Sequence, residues 1–164
     1  MEEERTMTRM KIVKLVSSIL LCQMAGVIGS LFVMPSLPWY DTLAKPSWAP
    51  SGTVISIIWT TLFTLMGISL YLVWMKGIRT GSARLPLSVF GIQLAVNVAW
   101  NYFFFGLQSP LFGLIVILIL WVLIAVNIVA FARISRVAGA LLIPYIIWVS
   151  IAATANYYLL ILNL

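Results

Sequence analysis

Five long apolar runs, separated by short polar or proline-rich breaks, constrain this chain more than any other feature of its sequence. Each run has the length of about 20 residues that an α-helix needs to cross the hydrocarbon core of a bilayer. The sequence therefore predicts an all-α fold, an integral membrane bundle of five transmembrane helices in a single domain over residues 1–164. We place the helices at about residues 12–34, 54–75, 85–107, 111–131 and 138–162, with a long lid loop at residues 35–53.

The composition agrees with a chain that lies in lipid. Hydrophobic residues make up 63% of the sequence and charged residues only 9%, whereas charged residues are about a quarter of a soluble domain. A cleaved secretory signal is the alternative for the first run. That run is longer than the usual apolar region of a signal, and no convincing small-residue cleavage site closes it. We therefore expect a retained first helix.

Basic residues are distributed unevenly between the two sides of such a bundle. With five spans, the N-terminus and the second and fourth loops share one side, and nine of the ten Lys and Arg residues fall there. These nine are Arg5, Arg9, Lys11, Lys14, Lys76, Arg79, Arg84, Arg133 and Arg136. Only Lys45 lies opposite. The positive-inside rule then predicts a cell-membrane protein with its N-terminus cytoplasmic and its C-terminus outside. Anionic lipid headgroups explain the net charge of +6 without any nucleic-acid partner.

Several kinds of catalytic and metal site lack their residues in this sequence. There is no His, one Cys (Cys22) and only four acidic residues, of which Asp41 alone lies outside the N-terminal tail. Paired-carboxylate catalysis, a Ser-His-Asp triad and a zinc site are therefore disfavoured, and we expect neither a metal nor a cofactor. No Asp, Glu or His lies within a span, which also disfavours a proton-driven pump.

The third predicted span carries polar side chains on one face. At about 100° per residue, Gln93, Asn97, Trp100 and Phe104 fall within one sector of the helix. An amide in hydrocarbon is costly unless it has a partner, so this sector should face protein or a cavity. Two interpretations stay open: the amides cross-link helices, or they contact a ligand.

Small residues predict where helices approach closely. Gly91, Ala95 and Ala99 form a smooth strip on the other side of the third span, which suits a contact within the bundle or between two copies. We expect a homodimer through this strip. Close packing is also expected in the first span, at Gly26, Gly29 and Ser30.

The fifth predicted span supplies a further face. Trp148, Ala152 and Asn156 are spaced by four residues and so stack on one side, with the small Ala152 leaving room between the larger two. Together with Trp59 of the second span and the polar sector of the third, this face could line a cavity with apolar walls and few polar anchors. Such a cavity suits a flat hydrophobic ligand.

Ordered Trp, Pro and Asn motifs give the chain a family resemblance. In the first half, Trp39-Tyr40 precedes the stretch LAKPSWAP from Leu43 to Pro50, and Trp59 precedes Met66-Gly67. The second half contains, in order, QLAVN from Gln93 to Asn97, Trp100, Phe104 to Gly106, Pro144-Tyr145, Trp148, Ala152 and NYY from Asn156 to Tyr158. Over roughly residues 26–158 the chain resembles the translocator protein family, also called tryptophan-rich sensory proteins or peripheral benzodiazepine receptors.

The resemblance implies a five-helix fold, often dimeric, that binds tetrapyrroles such as protoporphyrin IX and heme. It also implies synthetic isoquinoline or benzodiazepine-type ligands and, in animal members, cholesterol. The ligand pocket implied by the resemblance is formed by Trp39, Pro46, Trp59, Asn97, Trp100, Trp148, Ala152 and Ala155, with the long loop as its lid.

The chain departs from the family pattern at several positions. Ser51 replaces the second Pro of the usual Trp-x-Pro-Pro, and Phe63 stands where Tyr is common. Asn101-Tyr102 replaces the paired prolines of animal members. No basic residue follows Tyr157 or Tyr158, so the cholesterol pattern is incomplete. These departures favour a microbial-type member.

Three classes of function follow from these observations. The first is a membrane receptor or sensor that binds porphyrin-type ligands without turnover. The second is light- and oxygen-dependent modification of porphyrins, in which Trp59 and Trp148 would supply oxidisable rings. The third is a transporter or scaffold for tetrapyrroles or lipids.

Overall fold

Helices account for nearly all of the fold in the computed structural model, which describes residues 1–77 and 81–164. The α-helices are α1 (Glu2–Thr42), α2 (Gly52–Gly77), α3 (Arg84–Asn101), α4 (Pro110–Ile134), α5 (Arg136–Leu141) and α6 (Ile143–Leu162), and a π-helical segment (Tyr102–Gly106) continues α3. Within the described residues, five helical spans are long and apolar enough to cross a membrane. The predicted all-α bundle of five spans is confirmed.

The first helix is much longer than the sequence analysis predicted. It was expected to end at Met34 before Pro35, but it continues through Pro35 and Pro38 to Thr42. Each proline lacks one N–H donor, a loss that membrane helices tolerate where neighbouring groups compensate. The buried Ser36 hydroxyl, next to Pro35, attaches this part of α1 to the π-helical segment by donating to the carbonyl of Phe105 at 2.9 Å. The lid loop, predicted at residues 35–53, therefore shrinks to residues 43–51.

The fifth span is divided where one helix was predicted. Helix α5 ends at Leu141, and α6 begins at Ile143, directly before Pro144. The proline ring has no N–H for the carbonyl of Ala140, so the backbone makes a tighter turn in which the Leu142 N–H donates to the carbonyl of Gly139 at 3.1 Å. The break lets α5 pack against α2, while both α5 and α6 pack against α4.

The third span ends in the π-helical segment. The wider turn appears as a hydrogen bond from the Leu107 N–H to the carbonyl of Tyr102, five residues earlier, at 2.8 Å. Gln108 follows with φ of 51° and reverses the chain. Ser109 then caps α4 by accepting from the Phe112 N–H at 3.3 Å, with Pro110 at the first helical position.

The spans form a closed ring. Helix α1 packs against α2 and α3, and α4 packs against α3, α5 and α6. The short α5 closes the ring on α2, where the buried Ser69 hydroxyl donates to the carbonyl of Ala138 at 2.7 Å. The lid loop lies at the other end of the bundle, between the end of α1 and the start of α2.

Glycines mark the closest helix contacts. A Cβ atom on Gly67 would lie 2.5 Å from the Ile19 backbone, so only glycine allows this approach of α2 to α1. The predicted close packing at Gly26 and Gly29 is confirmed by neighbouring Phe63 and Asn101 atoms at 2.7 and 2.8 Å from such a Cβ. Ser30 is instead exposed.

Candidate functional site

A cavity of about 660 Å³ lies between α1, α2, α3 and α6, and the lid loop covers one end of it. Ligand pockets in proteins commonly have volumes of about 300–1,000 Å³, so the space can accept a drug-sized or larger flat molecule. Pro46, Ala49 and Pro50 of the lid loop contribute to its lining. The cavity therefore extends from within the bundle to the loop between α1 and α2.

Tryptophans from three spans form the walls of the cavity. Trp59 of α2 stacks on Phe63 with ring centroids 5.6 Å apart and an interplanar angle of 29°. Trp100 of α3 stacks on Phe104 at 5.4 Å and 22°. Trp148 of α6 lies on the same cavity. Paired aromatic rings hold one another in fixed orientations, which gives the walls flat, rigid surfaces.

Small residues leave the open space between these walls. Ala152 and Ala155 of α6 and Gly26 of α1 all line the cavity. The predicted shared face of α6 is confirmed, because Trp148, Ala152 and Asn156 all contribute to the lining. Ala152 is thus the small side chain between two larger ones on one wall.

The polar groups of the cavity are amides and hydroxyls. Asn156 donates to the carbonyl of Pro110 at 2.7 Å and accepts from the Trp100 indole at 3.3 Å, which fixes that ring. Asn101 donates to the carbonyl of Asn97 at 3.1 Å. On α1, Gln23 donates to the carbonyl of Thr60 at 3.0 Å. No charged residue is among the described residues that line the cavity.

A buried hydrogen-bond network joins three spans beside the cavity. The hydroxyl of Tyr145, which is fully buried, accepts from Asn97 at 2.8 Å and from Gln93 at 3.4 Å. The Gln93 oxygen accepts from Asn127 of α4 at 2.9 Å. Gln93 therefore cross-links helices and does not line the cavity. Asn97 belongs both to the network, through its bond to Tyr145, and to the cavity wall.

The lid loop is fastened to the end of α6 by two contacts. The side-chain amide of Asn163 accepts from the Ala44 N–H at 2.9 Å and donates to the Ala44 carbonyl at 3.0 Å. The ring of Trp48 meets Tyr158 edge to face, with centroids 5.9 Å apart. Both contacts hold the loop across the space between α1 and α6.

The structure places seven of the eight predicted site residues on one cavity: Pro46, Trp59, Asn97, Trp100, Trp148, Ala152 and Ala155. Trp39 lies outside the lining, where its ring packs edge to face on Phe104 at 5.7 Å. Trp39 therefore contacts the cavity wall through Phe104 and does not itself face the cavity. Whether any of the eight binds a ligand remains a prediction.

Several lining residues of α1 were absent from the predicted site. Gln23, Ser30, Leu37 and Tyr40 line the cavity. Their spacing of three to seven residues would have placed them on one helical face. The prediction missed them because it ended the helix at Pro35, so Leu37 and Tyr40 were assigned to the lid loop. Ser30 was assigned to close helix packing, and no motif distinguished Gln23.

The departures from the family pattern have structural counterparts. Ser51 lies just before α2, where its hydroxyl accepts from the Val54 N–H at 3.5 Å, a weak cap. Asn101 lines the cavity, and Phe63 supports Trp59. In the described ranges, no three His, Cys, Asp or Glu side chains lie close enough together to hold a metal ion.

Comparisons with known proteins give matches over most of the chain. The model of the TspO/MBR family matches residues 18–162. The tryptophan-rich protein TspO of Chlorobaculum tepidum is 42% identical over 144 residues, which cover 87% of this chain and 91% of the relative. The protein of the same name from Archaeoglobus fulgidus is 38% identical over 94% of this chain and 99% of its own. The human translocator protein is 39% identical over 79% and 78%.

Proposed function

We propose a function from the premise that the chain belongs to the TspO/MBR family and is a multi-pass integral membrane protein. The protein acts as a membrane receptor or sensor for porphyrin-type tetrapyrroles, such as protoporphyrin IX and heme, and for related flat hydrophobic molecules. The observation that carries this proposal is the cavity of about 660 Å³ with tryptophans from three spans on its walls.

The chemistry of the cavity supports a flat aromatic ligand. Indole rings offer broad apolar surfaces for stacking, which add to the gain from removing the ligand from water. The few amides give directional hydrogen bonds without the cost of a buried charge. The indole rings that line the cavity come from three separate helices and belong to Trp59, Trp100 and Trp148.

A titration with protoporphyrin IX tests the proposal directly. Tryptophan fluorescence of the purified protein should fall and saturate at one ligand per chain. Trp148→Phe should weaken binding about fivefold, because it removes part of the stacking surface, worth about 1 kcal/mol. The indole N–H of Trp148 has no hydrogen-bond partner among the described residues, so the fold loses no bond with it.

Trp74→Phe is the matched control for that titration. Trp74 lies near the far end of α2, beside Lys14 at 5.5 Å, and does not line the cavity. This variant should bind protoporphyrin IX as tightly as the parent. Quenching that never saturates would contradict the proposal. An equal loss of affinity in the Trp148→Phe and Trp74→Phe variants would also contradict it.

A second candidate function is light- and oxygen-dependent modification of the bound porphyrin. Trp59 and Trp148 lie on the cavity and would supply oxidisable rings beside a bound ligand. Illumination of the complex in air should then give a chemically altered porphyrin, which absorption spectra and mass spectrometry detect. Unaltered porphyrin recovered after illumination would leave binding as the function.

We also propose the orientation of the bundle, with the N-terminus cytoplasmic and the C-terminus outside the cell membrane. Of the described residues, all basic side chains except Lys45 lie at the end of the bundle that holds the start of α1. Arg79, which contributed to the prediction, lies outside the described residues. In intact cells an impermeant thiol reagent should label Ser47→Cys but not Ser82→Cys, and the reverse labelling would contradict the orientation.

A further inference from the structure

One ammonium group lies at the lid end of a cavity whose described lining carries no charge. Lys45 is the residue before Pro46, which lines the cavity. The other described Lys and Arg residues belong to the opposite end of the bundle, because they lie at the start of α1, α3 and α5 or at the end of α2 and α4. Among the described residues, Lys45 is therefore the one Lys or Arg at the lid end of the cavity, which we call its mouth.

The contacts of Lys45 hold its ammonium group near the cavity wall. The Nζ atom lies 4.5 Å from the ring centroid of Tyr40, which lines the cavity, and the side chain is only 28% exposed. An aromatic face within about 6 Å attracts a cation but offers it no hydrogen-bond acceptor of carboxylate strength. The ammonium is positioned while its donors remain available.

The carboxylate beside Lys45 is a weak competitor for those donors. Asp41 lies 3.9 Å from the Nζ atom, at the outer limit of an ion pair, and its side chain is 79% exposed. Exposed pairs of this kind contribute little because water screens both charges. A second carboxylate presented from the cavity could therefore bind the ammonium without displacing a strong partner.

The neutral lining restricts where an acidic ligand can place its charge. Burying a carboxylate among apolar walls and neutral amides without a cation is costly. An acidic group on a ring held between Trp59 and Trp148 would thus stay at the mouth. We propose that Lys45 binds the carboxylate of the ligand there, and that the preferred ligands are flat apolar rings with acidic groups along one edge.

This inference rests on the proposed porphyrin binding, and the test separates the two. Protoporphyrin IX carries two carboxylates, and its dimethyl ester carries none on the same ring. Both are titrated by tryptophan fluorescence in a non-ionic detergent without anionic lipid, so that no lipid phosphate competes for the ammonium. The variants are Lys45→Gln, Lys45→Arg and, as a matched control at the other end of the bundle, Lys11→Gln.

Lys45→Gln should weaken binding of the acid about five- to tenfold and change binding of the ester by less than about twofold. Lys45→Arg should restore most of the affinity for the acid, and Lys11→Gln should change neither affinity. An equal loss for acid and ester, or no loss for the acid, would overturn the role of Lys45. Failure of the parent protein to bind either compound would instead refute the proposed function.

Discussion

At the scale of single residues, glycines of similar sequence context have opposite structural roles. A Cβ atom on Gly113 of α4 would lie 2.6 Å from the Phe104 ring and 2.9 Å from the Asn156 side chain. A Cβ atom on Gly91 of α3 would meet nothing within 4 Å. The first glycine is required by the packing that positions Trp100 and Asn156, and the second is not.

We expect Gly113→Ala to destabilise the protein by about 1–3 kcal/mol, because the methyl group forces rings and an amide out of place. Gly91→Ala should be neutral or stabilising by up to about 1 kcal/mol, since alanine favours a helix and keeps the surface smooth. Thermal unfolding in detergent, followed by circular dichroism, compares the two. Equal unfolding temperatures for the two variants would contradict the inference that the packing requires glycine at Gly113.

Sequence analysis predicted the cavity side chains well where an amide, a helical face or a family motif marked them. Asn97 stood out because an amide within a span needs a partner, Trp148 because it shares a helical face with Ala152 and Asn156, and Trp59 through the family resemblance. Gln93 and Asn97 looked alike in the sequence, and only their partners separate them. Gln93 bonds to Tyr145 and Asn127, a contact between distant segments that helical spacing cannot reveal.

At the scale of secondary structure elements, the positions of the spans were predictable and their ends were not. The third span, predicted at residues 85–107, occupies Arg84–Gly106 in the structure. The end of α1 was placed at Met34 because proline normally stops a helix in water. In this bundle the helix continues to Thr42, and contacts made by later segments, such as Ser36 with Phe105, accompany that continuation.

The lid loop depends on a residue near the end of the chain. Asn163→Ala removes both hydrogen bonds to Ala44, so the loop should open more often. Hydrogen exchange of the Ala44 amide should then accelerate about tenfold, equivalent to about 1.4 kcal/mol. Asn163→Asp keeps the acceptor for that amide and should give an intermediate rate. Unchanged exchange in both variants would show that Asn163 does not fasten the loop.

At the scale of the whole molecule, the small-residue strip predicted to form a homodimer lies on the surface of the bundle. Gly91 and Ala95 are exposed on α3, and Ala99 is half-buried, so the small-residue strip faces away from the bundle. This position leaves the strip accessible to a second copy, as the homodimer prediction requires, and removes the alternative of a contact within the bundle at Gly91, whose Cβ position is open.

Ala95→Leu should shift the cross-linked protein toward monomer, because a larger side chain keeps two helices apart. Porphyrin binding should persist, since the strip lies away from the cavity. Ala140→Leu, the same change at an exposed site of α5, serves as the control and should leave the dimer intact. A dimer that survives Ala95→Leu would indicate a different interface.

Ala152→Phe tests most directly whether the cavity is the ligand site. Ala152 lines the cavity between Trp148 and Asn156, so a phenyl group there fills space that a bound ring would occupy. Ala140→Phe places the same side chain on the exposed surface of the same span. With matched helical content and thermal stability, Ala152→Phe should lose at least about tenfold in affinity for protoporphyrin IX, while Ala140→Phe binds like the parent. Parent-like affinity in Ala152→Phe would mean that the ligand binds elsewhere and that the tryptophans are core packing.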